Sequence, residues 1–272
     1  MSRIVITPPR RWALPSAREL YDAREVLYRF GLRDVVLRYR QTAIGVIWVL
    51  LQPLAAAGIF SLVFGEIAKL PSSGIPYLVF SYVGMLAWNL FNNVISRGAP
   101  SLVSNQALIS KVFFPRMLVP LSSSLSVLVD YLVALAFGVV LLIAFRINPG
   151  WPILLLPIWT ILLLLLASGI ALIASAVMVT YRDVAYILPW LLQILLYAAP
   201  VAYSLEAVPA NLRLIFELNP LTWYLEAFRY SLLGLNMPSW WQIFGMAAVG
   251  LGSFLVGTAV FQRFERGFAD VI

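Results

Sequence analysis

WNLFNNVISRGAPSLVSNQALISKVFFPRMLVP, residues Trp88–Pro120, reads as an apolar helix, a short basic segment and the start of a second apolar helix. Arg97–Arg116 carries a helical pattern of its own, with Leu102, Ala107, Leu108, Val112 and Phe113 spaced among polar residues. A hairpin between two membrane helices needs only a few residues, so about twenty with internal order predict a docking element. Such an element lets a soluble partner push on a membrane subunit.

Composition sets the class around it. The chain is 62% hydrophobic and 11% charged, with mean hydropathy +0.90, whereas soluble domains carry roughly 25% charged residues. A soluble protein of 272 residues with this composition lacks the polar surface to cover itself. The fold class is therefore an all-α integral membrane protein. There is no cysteine, hence no disulfide or thiolate metal site, and no histidine, the commonest general base and metal ligand. The net charge of +7 would suggest nucleic acid for a soluble protein. Here its distribution carries the information, and no nucleic-acid partner is expected. The leading residues are polar and arginine-rich with no apolar core. No cleavable signal peptide is expected, and the first span serves as its own insertion signal.

A span needs about twenty apolar residues. Six are expected: Ala43–Gly65, Pro76–Ser96, Met117–Phe145, Pro152–Thr180, Val184–Tyr203 and Ile243–Gln262. They divide the chain into a cytoplasmic N-terminal segment (1–42), one transmembrane domain (43–262) and a cytoplasmic tail (263–272). An even count puts both termini on one side. That side holds fifteen of the 19 basic residues: nine arginines ahead of span one, then Arg97, Lys111, Arg116, Arg182, Arg263 and Arg266. Only Lys69, Arg146, Arg213 and Arg229 fall on the other. By the positive-inside rule both termini are cytoplasmic.

Ser16–Glu19 reads as a capping box. Leu20, Ala23, Leu27 and Phe30 then share a face, with Arg18, Asp22, Glu25 and Arg29 elsewhere. This predicts an amphipathic helix in the membrane interface, acting as an anchor or as a gate. Beyond span five, Pro209, Asn219-Pro220 and Pro238 cut Ser204–Gln242 into two short helices, Leu212–Leu218 and Leu221–Leu233. Neither spans a bilayer, so a re-entrant or interfacial hairpin at the outer end is expected.

Sites for chemistry are sparse. There is no phosphate-binding loop, dinucleotide fingerprint, metal-ligand cluster or catalytic constellation. Asp130, near the middle of span three, is the one acid within a span. Burying an acid there is costly, which marks it either as a functional group or as a protonated side chain bonded to a neighbouring helix. Asn89, Asn92, Asn93 and Gln193 are expected to face protein or water. Ala167, Ser168, Gly169, Ala171, Ala174 and Ser175 give span four a small-residue face for close helix packing. The aromatics of the outer segments form an interfacial belt or line a sugar path; composition leaves both open.

Five runs together resemble one family: Arg33–Pro53, Leu102–Pro120, Tyr181–Asp183, Ala199–Tyr203 and Asn219–Tyr230. These are similar to the type-2 ABC transporter permeases that export O-antigen, capsule or teichoic acid. The resemblance covers nearly the whole chain. It implies a non-catalytic homodimer in the bacterial cytoplasmic (inner) membrane, docked to two cytoplasmic ATPase subunits that bind ATP and Mg, moving a lipid-linked glycan such as O-antigen. It implies ATPase coupling through Ser104, Asn105, Leu108, Ile109, Lys111 and Phe113, with a second contact at Tyr181, Arg182 and Asp183. Arg33, Asp34, Arg38 and Arg40 fall at the inner gate, where the arginines suit a lipid diphosphate or anchor the helix to phospholipid. Tyr39, Trp48, Phe60, Tyr197, Tyr203, Trp223 and Tyr224 are the channel and outer-gate aromatics it implies. The same architecture with a drug, peptide or small lipid as cargo is the alternative.

Overall fold

The computed structural model describes residues 24–40, 47–109, 114–265 and 267–268. The Ser16–Glu19 capping box, Leu20, Ala23, Lys111 and Phe113 lie outside them. Among the described residues the fold is all-helical. It begins with α1 (Arg24–Arg40) and α2 (Ile47–Phe60), which continues to Ile67 with wider i→i+5 bonding, as in Ala68 N to Val63 O at 2.9 Å. α3 (Tyr77–Gly98) leads into two single turns, α4 (Ser101–Ser104) and α5 (Gln106–Ile109). The long helices α6 (Leu118–Ala144) and α7 (Leu156–Thr180) follow, α7 being extended upstream by a tight turn from Trp151. Then come α8 (Val184–Ala198), α9 (Ala210–Leu218), α10 (Pro220–Leu233) and α11 (Trp240–Glu265).

Among the described residues, five helical segments are long and apolar enough to cross a membrane: Ile47–Ile67, Tyr77–Gly98, Leu118–Ala144, Trp151–Thr180 and Trp240–Glu265. Each overlaps an expected span. The expected fifth span, Val184–Tyr203, departs from expectation, because its helix stops after 15 residues at Ala198. That is about 22 Å of helix against about 30 Å of hydrocarbon. Pro200 causes the stop: the residue before a proline is driven from the helical region, and Ala199 is extended at φ −115°, ψ 147°.

Beyond it, both short helices form. Pro209 precedes α9, and α10 is capped at each end: the Asn219 side chain accepts from Leu221 N, Pro220 takes the first helical position, and Gly234 closes it at φ 67°. α10 is buried along almost its whole length. It is a core element of the bundle, not a peripheral turn.

α3 is the hub, buried on nearly every face and packed against α2, α6, α7 and α10. α7 and α11 approach each other closely. The expected small-residue face is the cause: a Cβ on Gly169 would lie 2.3 Å from the Ser253 backbone, and one on Gly257 would lie 2.4 Å from the Gly169 carbonyl. Only glycine admits that approach. By contrast α2 and α8 leave apolar side chains uncovered, including Trp48, Ile59 and Leu62 on one and Tyr186, Trp190 and Tyr197 on the other.

Candidate functional site

Most of the basic residues among the described ones gather at one end of the bundle, here the basic end, where α3 finishes, α6 begins and α7 and α11 finish. α1 packs lengthwise along the start of α6. Val26 and Phe30 enter an apolar cluster with Leu102, Phe114, Met117, Val179 and Phe261, and the Phe30 and Phe114 rings are 5.4 Å apart. Phe30 therefore packs against the bundle. The opposite side of α1 leaves Tyr28, Leu32 and Val36 exposed.

Asp130 is the centre of the polar network there. Its Oδ1 accepts the Tyr39 hydroxyl. Its Oδ2 accepts from Arg97 at 2.7 Å and faces Arg38 at 3.2 Å. Helix direction explains the pairing. Cα–Cβ bonds tilt toward a helix's N-terminus, and α3 runs toward the basic end while α6 runs away from it. Arg97 leans into the bundle and Asp130 leans out, so two residues offset along the axis meet. Burial and the bond to Asp130 push the Tyr39 phenol far above its ordinary range, which keeps it a donor. Asn89 and Asn93 of α3 and Gln52 of α2 line the cleft beside Asp130.

Asp130 is thus not the solitary acid that its surroundings in sequence suggest. Its partner Arg97 lies one residue past the expected end of span two, in a helix that continues to Gly98. Extending the α3 pattern by half a turn would have placed Arg97 beside α6.

A second polar link joins α1 to the segment after α3. Arg33 donates to Asn105 at 2.8 Å and to Asp34 at 3.0 Å, and lies 4.9 Å from the Phe30 ring centre. Asn105 in turn donates to the Ser101 carbonyl at 2.8 Å. Ser104 is exposed at the end of α4, and Leu108 and Ile109 lie in the single turn α5. The far side of this segment is tied to the end of α11, where Arg116 N donates to Glu265 at 3.3 Å. Tyr181, Arg182 and Asp183 form an exposed turn between α7 and α8 at the same end. Arg40 is exposed at the end of α1.

The aromatics separate into two groups. Trp48 and Tyr197 are exposed, whereas Trp223 and Tyr224 are buried. Trp223 donates to the Glu217 carbonyl at 2.6 Å and Tyr224 to the Met246 carbonyl at 2.7 Å, so both pack the interior of the chain. Phe60, Phe64, Tyr203 and Phe216 form a run of ring contacts at 5.8, 6.4 and 6.2 Å. Tyr39 lies with Asp130.

The opposite end is organised by Arg229. The sequence places it in the second short helix of the outer segment, and it is 1% exposed. Its Nη2 donates to the carbonyls of Pro200, Val201 and Tyr203 at 2.7, 3.0 and 3.3 Å. Its Nη1 donates to Glu226 at 3.0 Å, and the guanidinium lies 4.0 Å from the Phe80 ring centre. Tyr77 adds a bond to the Ala202 carbonyl at 2.9 Å. The runs Ala199–Tyr203 and Asn219–Tyr230 thus meet in space, one supplying carbonyls and the other the cation that binds them. The apolar residues around Arg229, with Glu226 three before it, were the available signal.

These features define a class: a multi-pass helical membrane protein with one end anchored in its own core and the other carrying a braced, partly exposed segment. The profile of the ABC-2 type transporter family matches residues 27–233. The chain belongs to that family. It is 26% identical over 257 residues to an O-antigen export system permease protein of Myxococcus xanthus, covering 94% of this chain and 98% of that one. An O-antigen export system permease protein of Klebsiella pneumoniae is 24% identical over 88% of this chain and 92% of its own length. A polysialic acid transport protein of Escherichia coli is 25% identical over 92% of this chain and 98% of its own.

Proposed function

We propose that this chain is the permease subunit of an ATP-driven exporter that carries a lipid-linked, O-antigen-like polysaccharide across the cytoplasmic membrane. The near full-length similarity to polysaccharide export permeases carries this reading. Two copies form the working unit, with α2 and α8 bordering the path. Their uncovered apolar rows support that arrangement, as do the exposed Gln52 and Gln193 on the same helices. α8 counts as the fifth of six spans although it is short. α9 and α10 serve as the outer gate, and the termini are cytoplasmic, as the arginine distribution favours.

ATP and Mg bind in separate partner subunits, two per dimer. Each docks on the Ser104–Phe113 segment and touches Tyr181–Asp183. The braces from Arg33 and Glu265 support this role, because an element that transmits force must itself be held. α1 acts as the inner gate. Arg40, exposed at its end, is positioned to meet a phosphate headgroup, with Arg33 and Arg38 close behind it.

Deleting Ser104–Phe113 tests the docking. The shortened chain is expected to insert in the membrane and to lose co-purification with the ATPase. Retention of the ATPase would refute the assignment. Depletion of the chain tests the cargo: a lipid-linked glycan accumulates on the cytoplasmic side if the reading holds, and the glycan pool is unchanged if it does not.

A further inference from the structure

We infer that Asp130 and Arg97 are positioning residues that latch α1 shut, and that Asn105 hands the motion of the docking segment to α1 through Arg33. This rests on the gate reading of α1. The contacts lie in sequence along one helix. Arg33 holds Asn105, next to the proposed ATPase contact, while Arg38 and Tyr39, one to two turns further on, hold Asp130. A displacement of Asn105 therefore pulls directly on the helix whose far end the carboxylate retains.

The arrangement suits release. A carboxylate paired to α1 alone would be stranded in the bundle when α1 moved, and an unpaired buried charge is strongly unfavourable. Arg97 removes that obstacle: it belongs to α3, contacts the same oxygen at 2.7 Å and stays when Arg38 leaves. The departing group is the one nearer water, since the Arg38 side chain is 36% exposed and Asp130 only 7%. Tyr39 leaves as a neutral hydroxyl. A contact made only to fix helices together has no need of a second cation that remains behind.

The absence of cysteine allows a direct test. A Cβ on Gly31 would lie 3.0 Å from Leu125 Cβ, so the Gly31→Cys, Leu125→Cys pair reports α1 docked on α6 after a small outward shift to disulfide range. In membranes holding the full permease with its ATPase, oxidation by copper phenanthroline is expected to form this crosslink. Glycan export should stop and then return with reductant. Adding Asp130→Asn is expected to slow crosslinking by about tenfold, since the docked population falls with the lost ion pair.

Arg38→Gln should act like Asp130→Asn and Arg38→Lys should restore much of the crosslinking, which separates a charge latch from general loss of packing. The two Arg38 variants also decide the matter if Asp130→Asn does not accumulate. Export by fully crosslinked protein, or normal crosslinking in both Asp130→Asn and Arg38→Gln, overturns the latch. Crosslinking does not depend on the cargo, so a wild-type chain that exports no glycan would refute the function proposed above and leave the latch standing.

Discussion

Replacing Arg229 with alanine removes the tie that holds the Pro200–Tyr203 turn against α10 and α3. Two buried carbonyls and a part-buried one lose their donor, and Glu226, whose side chain is 26% exposed, loses its cation. Each buried group left without a partner costs about 1–3 kcal/mol. The contact with Phe80 contributes about 1–2 kcal/mol more. These losses share one guanidinium and do not add in full, so we take about 4 kcal/mol, within the range for breaking a buried ion pair. At about 2–4 °C per kcal/mol for a chain of this size, the melting temperature in nanodiscs should fall by about 10 °C.

Lysine at this position keeps the charge without the fork. It cannot reach Glu226 and the carbonyls together, so it should recover less than half of the loss. Changing Glu226 to Gln alongside Arg229→Met should restore about 1–2 kcal/mol, because the stranded carboxylate disappears. A local readout comes from Val201→Cys in a chain with no other thiol. Val201 is 0% exposed, so maleimide labelling should be slow with Arg229 present and fast without it. A melting shift under about 2 °C, or unchanged labelling, would refute the idea that Arg229 anchors this end.

Two further substitutions probe the bundle. Gly169→Val should destabilise the α7–α11 pair by about 2–3 kcal/mol and lower the yield of folded protein on size exclusion, since Ser253 backbone occupies the space. Gly252→Ala, whose Cβ meets nothing within 4 Å, is the control and should melt at or slightly above wild type. Asn219→Ala should cost about 1–2 kcal/mol through the lost α10 cap and the bond to Ala198 O, read as a lower melting temperature. Asn219→Asp keeps the capping oxygen and should lose less.

Features that depend on one stretch of chain were legible in the sequence. Hydropathy found the long helices, the prolines marked α9 and α10, and the small residues of span four marked the α7–α11 contact. What failed to show was pairing at a distance. The Asp130 and Arg97 carboxylate and guanidinium are 33 residues apart, and their meeting depends on two antiparallel helices leaning their side chains together. Arg229 and its carbonyls are 26 to 29 residues apart and joined through backbone atoms that carry no residue signature. The same blindness applies to Trp223 and Tyr224, aromatic residues whose burial follows from where α10 packs. The early end of α8 was visible in Pro200, but the apolar run through Tyr203 outweighed it.

The contrast between the two arginine sites bears on which end can move. At Arg229 the cation is 1% exposed and its partners are mostly backbone carbonyls. Separation there would expose several buried polar groups at once, so the Pro200–Tyr203 turn and α10 stay together as one unit. At the basic end the Arg33, Arg38 and Arg97 side chains are 38, 36 and 25% exposed. Water can take over part of their solvation, and Asp130 has a second cation in reserve. Ion pairs of that kind are worth less and are exchanged more cheaply than buried ones. On the proposed docking and latch, a bundle tied through Arg229 and clasped through Asp130 yields first at the end that carries Asn105, and a force applied there reaches the clasp before it reaches Arg229.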